Sequence, residues 1–425
     1  MSLIVKNFFE NVNIEGNATK ISEEISQRLL QSGLQPGSNV PLAAYLLYKV
    51  AQNNSNSDVT IQDIFEGRLD ISEGTRYFAK EQLPEEAWAQ ILPMVNNYTA
   101  EEFALAALLP EHEDEMKLAM ATPHTILTLV HHLLDVQPDE YVGDLCCGSG
   151  SGFVSFAMDQ PEAHYFGYEI NEERGGIARI RAELLGSNVQ VQLGDVFRLA
   201  DDKNTPRFDK MFSNYPFGMR LRYLGEGSDY MERLAEQYPG LSKATSSDWI
   251  FNALLCDLLA ESGKAIGIMT NGSTWNSIDT PMRRYFVERK MIECVISLPV
   301  KMFPYTNIGT TLIVFSHGND TIRMIDATEI YHKGRRQNMF LQDDIATILT
   351  ALHTDSEYSK DVTLDELRAN EYNLSLERYI QKVPTFQNGV SFESIIKSIT
   401  RGAPCTASQL DKMVSNEVTN MQYLM

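Results

Sequence analysis

From about Thr122 onward, short runs rich in β-branched and aromatic residues alternate with stretches of helical period. The β-rich runs cover residues 141–145, 165–169, 189–193, 210–213, 265–269, 294–298 and 311–315. Between them, apolar residues at helical spacing predict helices over 152–158, 174–185, 248–261 and 281–290. Parallel strands need long crossovers, and those crossovers take one hand. The alternation therefore predicts an α/β fold: a doubly wound, mostly parallel sheet with helices on both faces. After about Ile330 the regularity fades into helical stretches at 341–352 and 364–370, then a tail.

The upstream region has no such alternation. Residues 21–30, 41–50, 84–95 and 100–109 carry apolar side chains at helical spacing, separated by loops rich in Asn, Ser and Gly. Thr99 ahead of Ala100-Glu101-Glu102 has the form of a helix cap. A chain of 425 residues has room for two or three domains. The expected division is a helical N-terminal domain over 1–115, a core over 116–335, a C-terminal helical extension over 336–390 and a tail over 391–425.

A hydrophobic content of 43% and a charged content of 22% describe an ordinary globular chain. No run of about 18 apolar residues predicts a membrane span, and the first residues lack a signal-peptide layout. The five cysteines show neither metal-ligand spacing nor a disulfide framework, so they read as reduced thiols of a cytoplasmic protein, and no metal site is expected. The formal charge of −21 has a sharper consequence. A chain that gripped nucleic acid unaided would be basic, because phosphate neutralisation supplies most of the affinity. Its basic clusters (Arg220 and Arg222; Arg283, Arg284, Arg289 and Lys290; Lys333, Arg335 and Arg336) read mainly as solvated faces. Any work on DNA implies a partner that supplies much of the grip.

Asp144-Leu145-Cys146-Cys147-Gly148-Ser149-Gly150-Ser151-Gly152 follows the first β-rich run and precedes a helix. Glycines there let the backbone approach a ligand closely. The spacing is neither that of a dinucleotide fingerprint nor that of a phosphate-binding loop. Glu169 ends the next run, where a carboxylate can accept hydrogen bonds from both ribose hydroxyls. Asp195 follows the third, in position for an adenine amino group. Acids at three successive strand ends suit a cationic sulfonium nucleoside, S-adenosylmethionine, better than the pyrophosphate of NAD or FAD. A purely structural strand–helix turn is the remaining alternative.

Asn214-Tyr215-Pro216-Phe217 ends the fourth run, on the edge where open α/β sheets place ligands. The Asn214 side-chain oxygen and the Tyr215 carbonyl can each accept one N–H of an amino group. Together they stabilise the positive charge that develops when that nitrogen attacks a methyl. Phe217 offers a face for a flat base. In isolation the same string also suits a stiffened surface turn.

In order and spacing these motifs resemble the N6-adenine DNA methyltransferases, specifically the modification subunit of type I restriction–modification systems. The resemblance runs from about Thr122 to Ile380, and the helical region before it matches the family's layout. Thr122-Pro123 ahead of a helix over 125–134 looks like the family's first cofactor-side motif. Asp144, Gly148, Ser149, Gly150 and Gly152 resemble its glycine loop, Glu169 and Asp195 its ribose and adenine contacts, and Asn214 to Phe217 its Asn-Pro-Pro-Phe catalytic motif. Residues 292–315 resemble its late strand, loop and strand, and Glu371-Tyr372-Asn373-Leu374-Ser375 with Arg378-Tyr379 its closing signature. Tyr215 departs from the pattern, standing where the family has proline, which implies a less rigid loop. Asn at position 214 favours adenine N6 over cytosine N4.

The resemblance implies S-adenosylmethionine as cofactor, double-stranded DNA as substrate, and a specificity subunit or fused target-recognition domain as the reader of sequence. It also implies a restriction (nuclease and translocase) subunit in the same system. Residues 392–425 look like either the opening of a target-recognition domain, cut short at Met425, or a C-terminal arm. Methylation of RNA or of a protein glutamine, or a non-catalytic cofactor-binding scaffold, remain as alternatives. His124, His131 and His132 read as surface or packing residues, Trp249 and Trp275 as core, and Cys146 and Cys147 as small residues of the loop.

Overall fold

The computed structural model describes residues 12–53, 59–109, 121–199, 205–218, 229–242, 244–303, 307–335 and 337–380, with two short strands beyond. The helices ahead of the first strand are α1 (Val12–Gln31), α2 (Asn39–Gln52), α3 (Ile61–Phe65), α4 (Glu73–Gln82), α5 (Glu85–Ile91), α6 (Ala100–Leu108) and α7 (His124–Leu134). Then β1 (Tyr141–Asp144), α8 (Ser151–Asp159), β2 (His164–Glu169), α9 (Glu172–Leu185), β3 (Val189–Leu193), α10 (Val196–Leu199) and β4 (Phe208–Ser213) alternate. They are followed by α11 (Asp229–Gln237), α12 (Ser247–Leu258), β5 (Leu259–Thr270), α13 (Gly272–Trp275), α14 (Thr280–Glu288), β6 (Ile292–Ser297), β7 (Thr310–Phe315) and β8 (Thr321–Asp326). The chain closes with the hairpin β9 (His332–Lys333) and β10 (Asn338–Met339), α15 (Gln342–Ala351), β11 (Ser359–Thr363) and α16 (Leu364–Ala369).

Among the described residues, nine strands form one sheet in the order β11-β8-β6-β7-β5-β4-β1-β2-β3. Five of its eight neighbouring pairs are parallel, and the antiparallel pairs are the two made by β7 and the outer pair β11–β8. The mostly parallel, doubly wound sheet expected from the alternation is therefore present. Successive side chains of a strand point to opposite faces. Leu312 and Val314 accordingly join one core with α2, α7, α8 and α9 residues, while Ile313 and Phe315 join a second with α11, α12 and α14 residues. All six residues of β7 are buried, as a central strand covered on both faces requires.

The upstream helices are closed by chemistry visible in the chain. The Thr99 side chain accepts from the Glu102 N–H at 3.3 Å, and Glu102 accepts from the Thr99 N–H at 2.8 Å, a reciprocal cap on α6. Helix α2 is buried from Val40 through Leu47, so the other helices of this layer pack around it. Polar contacts tie the layer to α9: Tyr45 donates to Glu183 at 2.5 Å, and Lys49 pairs with the same carboxylate at 3.0 Å. The strongest tie is Arg181, 1% exposed. Its guanidinium donates to the carbonyls of Ala107 at 3.1 Å, Leu109 at 2.6 Å and Ser149 at 2.8 Å. The first two lie at the C-terminal end of α6, where carbonyls lack helical partners and the helix dipole favours a cation. The third lies in the glycine-rich loop.

Several expectations need correction. The helix expected over 248–261 stops at Leu258, and β5 starts at Leu259 without a loop, because Leu259 pairs with Phe208 of β4; sheet pairing overrides the local helical preference. The helix expected over 84–95 becomes a 3-10 turn at Leu92–Asn96, where Pro93 lacks an N–H. Beyond Ile330 regularity persists as β11 on the sheet edge, and β8 was not anticipated. Trp249 is fully buried, but Trp275 is 57% exposed rather than core. Arg283 belongs to no solvated face: it is buried and donates to the carbonyls of Tyr372, Ser273 and Asn276. Arg220, Arg222, Arg336 and the tail over 392–425 lie outside the described residues. No helix among the described residues is long and apolar enough to cross a membrane.

Replacing Arg181 by Met orphans buried carbonyls at two sites and should lower stability by about 3 kcal/mol. Arg181→Lys should be intermediate, since it keeps the charge without the planar fork. A thermal melt of Arg181→Met superimposable on the parent's would refute this role for the side chain.

Candidate active site

The strand order reverses between β3 and β4: after β1, β2 and β3 extend one way, β4 returns to the other flank of β1. Loops leaving the carboxyl ends of β1 and β4 therefore diverge and leave a crevice, the usual ligand position of such sheets. A cleft of about 600 Å3 opens there, lined by residues that include Glu169, Arg174, Asp195, Asn214, Tyr215, Pro216, Phe217, Phe251 and Phe303. A smaller recess beside it is lined by Thr122, Asp144, Gly148, Ser149, Gly152 and Asn214, and the two share Cys146, Gly148, Arg174 and Asn214.

Register explains the convergence. Asp144 pairs with Gly167 and with Phe212, and Glu169 pairs with Leu193, so the ends of β1 to β4 lie nearly level. Gly148, at φ +57°, donates its N–H to Glu169 Oε2 at 2.9 Å, while Asn171 donates to Oε1 at 2.7 Å. Glu169 is thereby fixed with lone pairs to spare. Asp195 accepts from the Phe197 N–H at 3.0 Å. Asp144 is buried and accepts from the Cys146 N–H at 3.2 Å. Burial, helped by the nearby charge of Glu169 and opposed by that N–H, pushes its carboxyl up to about 7. Gly152 brings α8 against this carboxylate: an added Cβ would stand 3.0 Å from Asp144 Oδ2.

Thus Thr122, Asp144, Gly148, Ser149, Gly152, Glu169, Asp195 and Asn214 to Phe217 are distributed around the cleft and its adjoining recess. Pro123 and Gly150 line neither. Pro123 precedes α7 as its cap residue. Gly150, at φ +89°, shapes the turn into α8, and an added Cβ would lie 2.3 Å from the Phe153 ring.

The looseness implied by Tyr215 is not found. Its ring is 1% exposed, stacks on Phe251 at 5.0 Å and 6°, and its hydroxyl donates to buried Asn252 at 3.0 Å. Gly267 on β5 makes room, since an added Cβ there would lie 2.5 Å from Asn252 Oδ1. Beyond the tetrapeptide, Phe303 meets Phe217 edge-on at 6.0 Å and 90°, giving the cleft a second aromatic wall. Phe251, Phe303, Asn252, Gly267 and Arg174 come from scattered segments. Only Met302-Phe303, within the family-like segment over 292–315, carried a signal in the sequence. His131 lies away from the cleft, paired with Asp159 at 3.1 Å.

The description N-6 DNA Methylase matches residues 103–387 as a family. The chain belongs to the N-6 DNA Methylase family. It is 26% identical over 293 residues to the type I restriction enzyme MjaVIII methylase subunit of Methanocaldococcus jannaschii, covering 62% of this chain and 49% of that protein. The MjaVII methylase subunit of the same organism is 26% identical over 288 residues, 61% of this chain and 48% of that one. The chain thus spans about half the length of the curated relatives it matches. In fold it is similar to the type I restriction-modification methyltransferase subunit of Streptococcus thermophilus, with a TM-score of 0.66, 19% identity, and 80% and 81% of the two chains covered.

Within this N-6 DNA Methylase fold the two loop glycines have separable duties. Gly150→Ala should lower the melting midpoint markedly, combining a left-handed backbone, worth about 1–2 kcal/mol, with a clash against a buried ring. Gly148→Ala meets no neighbour within 4 Å and should fold with only the backbone penalty. Its Cβ would instead intrude on the cleft. Equal melting midpoints for the two variants would contradict this division.

Proposed function

We propose that this chain transfers a methyl group from S-adenosylmethionine to the N6 of adenine in a specific DNA sequence, as the modification subunit of a type I restriction–modification system. The observation that carries the reading is that Asn214-Tyr215-Pro216-Phe217 shares a cleft with Glu169, Asp195 and Gly148, while Asn214 also lines the adjoining recess with Asp144, Ser149 and Gly152 of the glycine loop. The donor set fits the cofactor: carboxylates for ribose, adenine and cationic groups, and a positive-φ glycine with no neighbour over its face. When bound, S-adenosylmethionine supplies an activated methyl on a positively charged sulfur.

The chain's own residues hold the other reactant. Asn214 Oδ1 and the Tyr215 carbonyl accept the two N–H bonds of the adenine amino group, directing its lone pair toward the methyl. Phe217 and Phe303 enclose the flat base. The adenine must leave the duplex to enter, with unstacking costing about a few kcal/mol. Tyr215 contributes a main-chain acceptor, and its buried side chain keeps that acceptor from drifting. The charge of −21 agrees with a partner supplying much of the DNA grip, and the resemblance gives the sequence reading to a specificity subunit or fused target-recognition domain. A restriction subunit is the further partner.

Asn214→Ala should lower methyl transfer by at least about a hundredfold while leaving cofactor affinity within about twofold. Long-read modification sequencing of genomic DNA from cells carrying the intact locus checks this: N6-methyladenine at one split sequence should vanish in the variant. Modification that survives in Asn214→Ala would sink the role of Asn214. No modified adenine in either strain would favour a scaffold, or an RNA or protein substrate.

A pH dependence follows from Asp144. Its raised carboxyl is neutral well below pH 7 and anionic above it, so affinity for a ligand presenting cationic groups should rise as pH increases through about 7. Binding below that pH should release a proton. Asp144→Asn should flatten the profile, as calorimetry in buffers of different ionisation heat would reveal.

A further inference from the structure

We propose that Arg174 binds the carboxylate of the cofactor's amino-acid tail; this rests on reading the cleft as an S-adenosylmethionine site. Arg174 lines both the main cleft and the recess beneath the glycine loop, and among the described residues lining either it is the one cation. Three carboxylates, Asp144, Glu169 and Asp195, line the same two spaces. They favour the sulfonium and ammonium of the cofactor and oppose its carboxylate. A tail that carries both signs therefore needs a local positive group on the side where its carboxylate lies, and a guanidinium can hold a carboxylate through two parallel hydrogen bonds.

The backbone fixes where this cation stands. Asn171 caps α9, its side-chain oxygen accepting the Arg174 N–H at 2.9 Å. At the next position, an added Cβ on Gly175 would lie 2.0 Å from Leu193 Cδ2 and 3.5 Å from Glu169 Cγ. The first turn of α9 is thus pressed against the ends of β2 and β3. The backbone at Arg174 is consequently fixed near the ends of β2 and β3, its side chain lines the same cleft as Glu169, and the helix end adds its dipole to the positive field. Adenosine contacts fall to Glu169 and Asp195 in the main cleft, and Arg174 stands at the junction through which the tail passes into the recess.

The test compares two ligands by calorimetry on the full chain: S-adenosylhomocysteine, and its decarboxylated amine, which keeps the nucleoside, thioether and ammonium. The parent should bind S-adenosylhomocysteine at least about tenfold more tightly, a difference of about 1.4 kcal/mol. Arg174→Gln should abolish that preference by weakening S-adenosylhomocysteine while leaving the amine within about twofold, and Arg174→Lys should restore part of it. Because Arg174 is half-buried on a helix surface, matching melting midpoints without ligand should show that both variants fold. Equal weakening of both ligands, or no weakening of either, would overturn the assignment to the carboxylate. A parent chain that bound neither ligand would overturn the cofactor reading itself, a separate and recognisable outcome.

Discussion

The return of the chain to the far flank of β1, after three strands laid outward, is the constraint from which the site follows. A sheet that simply continued outward would send its loops over the same face in series and leave no gap between them. Reversal makes the loops after β1 and β4 part, so that Asp144 and Asn214 face a common space although 70 residues separate them. Level strand ends then bring in Glu169 and Asp195. The burial of Asp144, and with it the lift of its carboxyl, is a further product of the helix that must start immediately after the turn.

Tyr215, standing where the resemblance places a proline, is held by packing instead of by a ring in the backbone. Proline restrains a loop through its ring, acting on the backbone directly. Tyr215 restrains it from behind, through a stacked ring and a buried hydroxyl that Asn252 accepts. That solution needs space inside the sheet, and Gly267 supplies it. The three positions form one unit, so the departure at 215 is legible as a compensated change only when 252 and 267 are seen beside it.

What was legible in the sequence was whatever local chemistry determines. Period and alternation marked β1 to β7 and most helices, and the Thr99 cap sits where Glu102 makes it useful. The helix-to-strand change at Leu258 was not legible, because residues 259–261 become strand only by pairing with β4. Strand β8 and edge strand β11 were hidden for the same reason. At the cleft, the residues of contiguous motifs could be named in advance, whereas Arg174, Phe251, Asn252 and Gly267 belong to separate segments joined only by folding. Burial of a guanidinium is equally invisible in composition: Arg283, counted with a basic cluster, closes carbonyls in the interior.

Arg181 adds a direct polar link between the glycine loop and the helical layer. One of its hydrogen bonds holds the Ser149 carbonyl in the glycine loop, and two hold the end of α6. Any free energy that a ligand contributes by ordering the loop is therefore felt by the helical layer, and by thermodynamic reciprocity the converse holds. Occupancy of the cleft would be expected to slow amide hydrogen exchange in α6. In the other direction, whatever grips the helical layer from outside would tune how tightly the loop closes on its ligand. A single buried side chain thus makes the order of the glycine loop and the packing of the helical layer one energetic quantity.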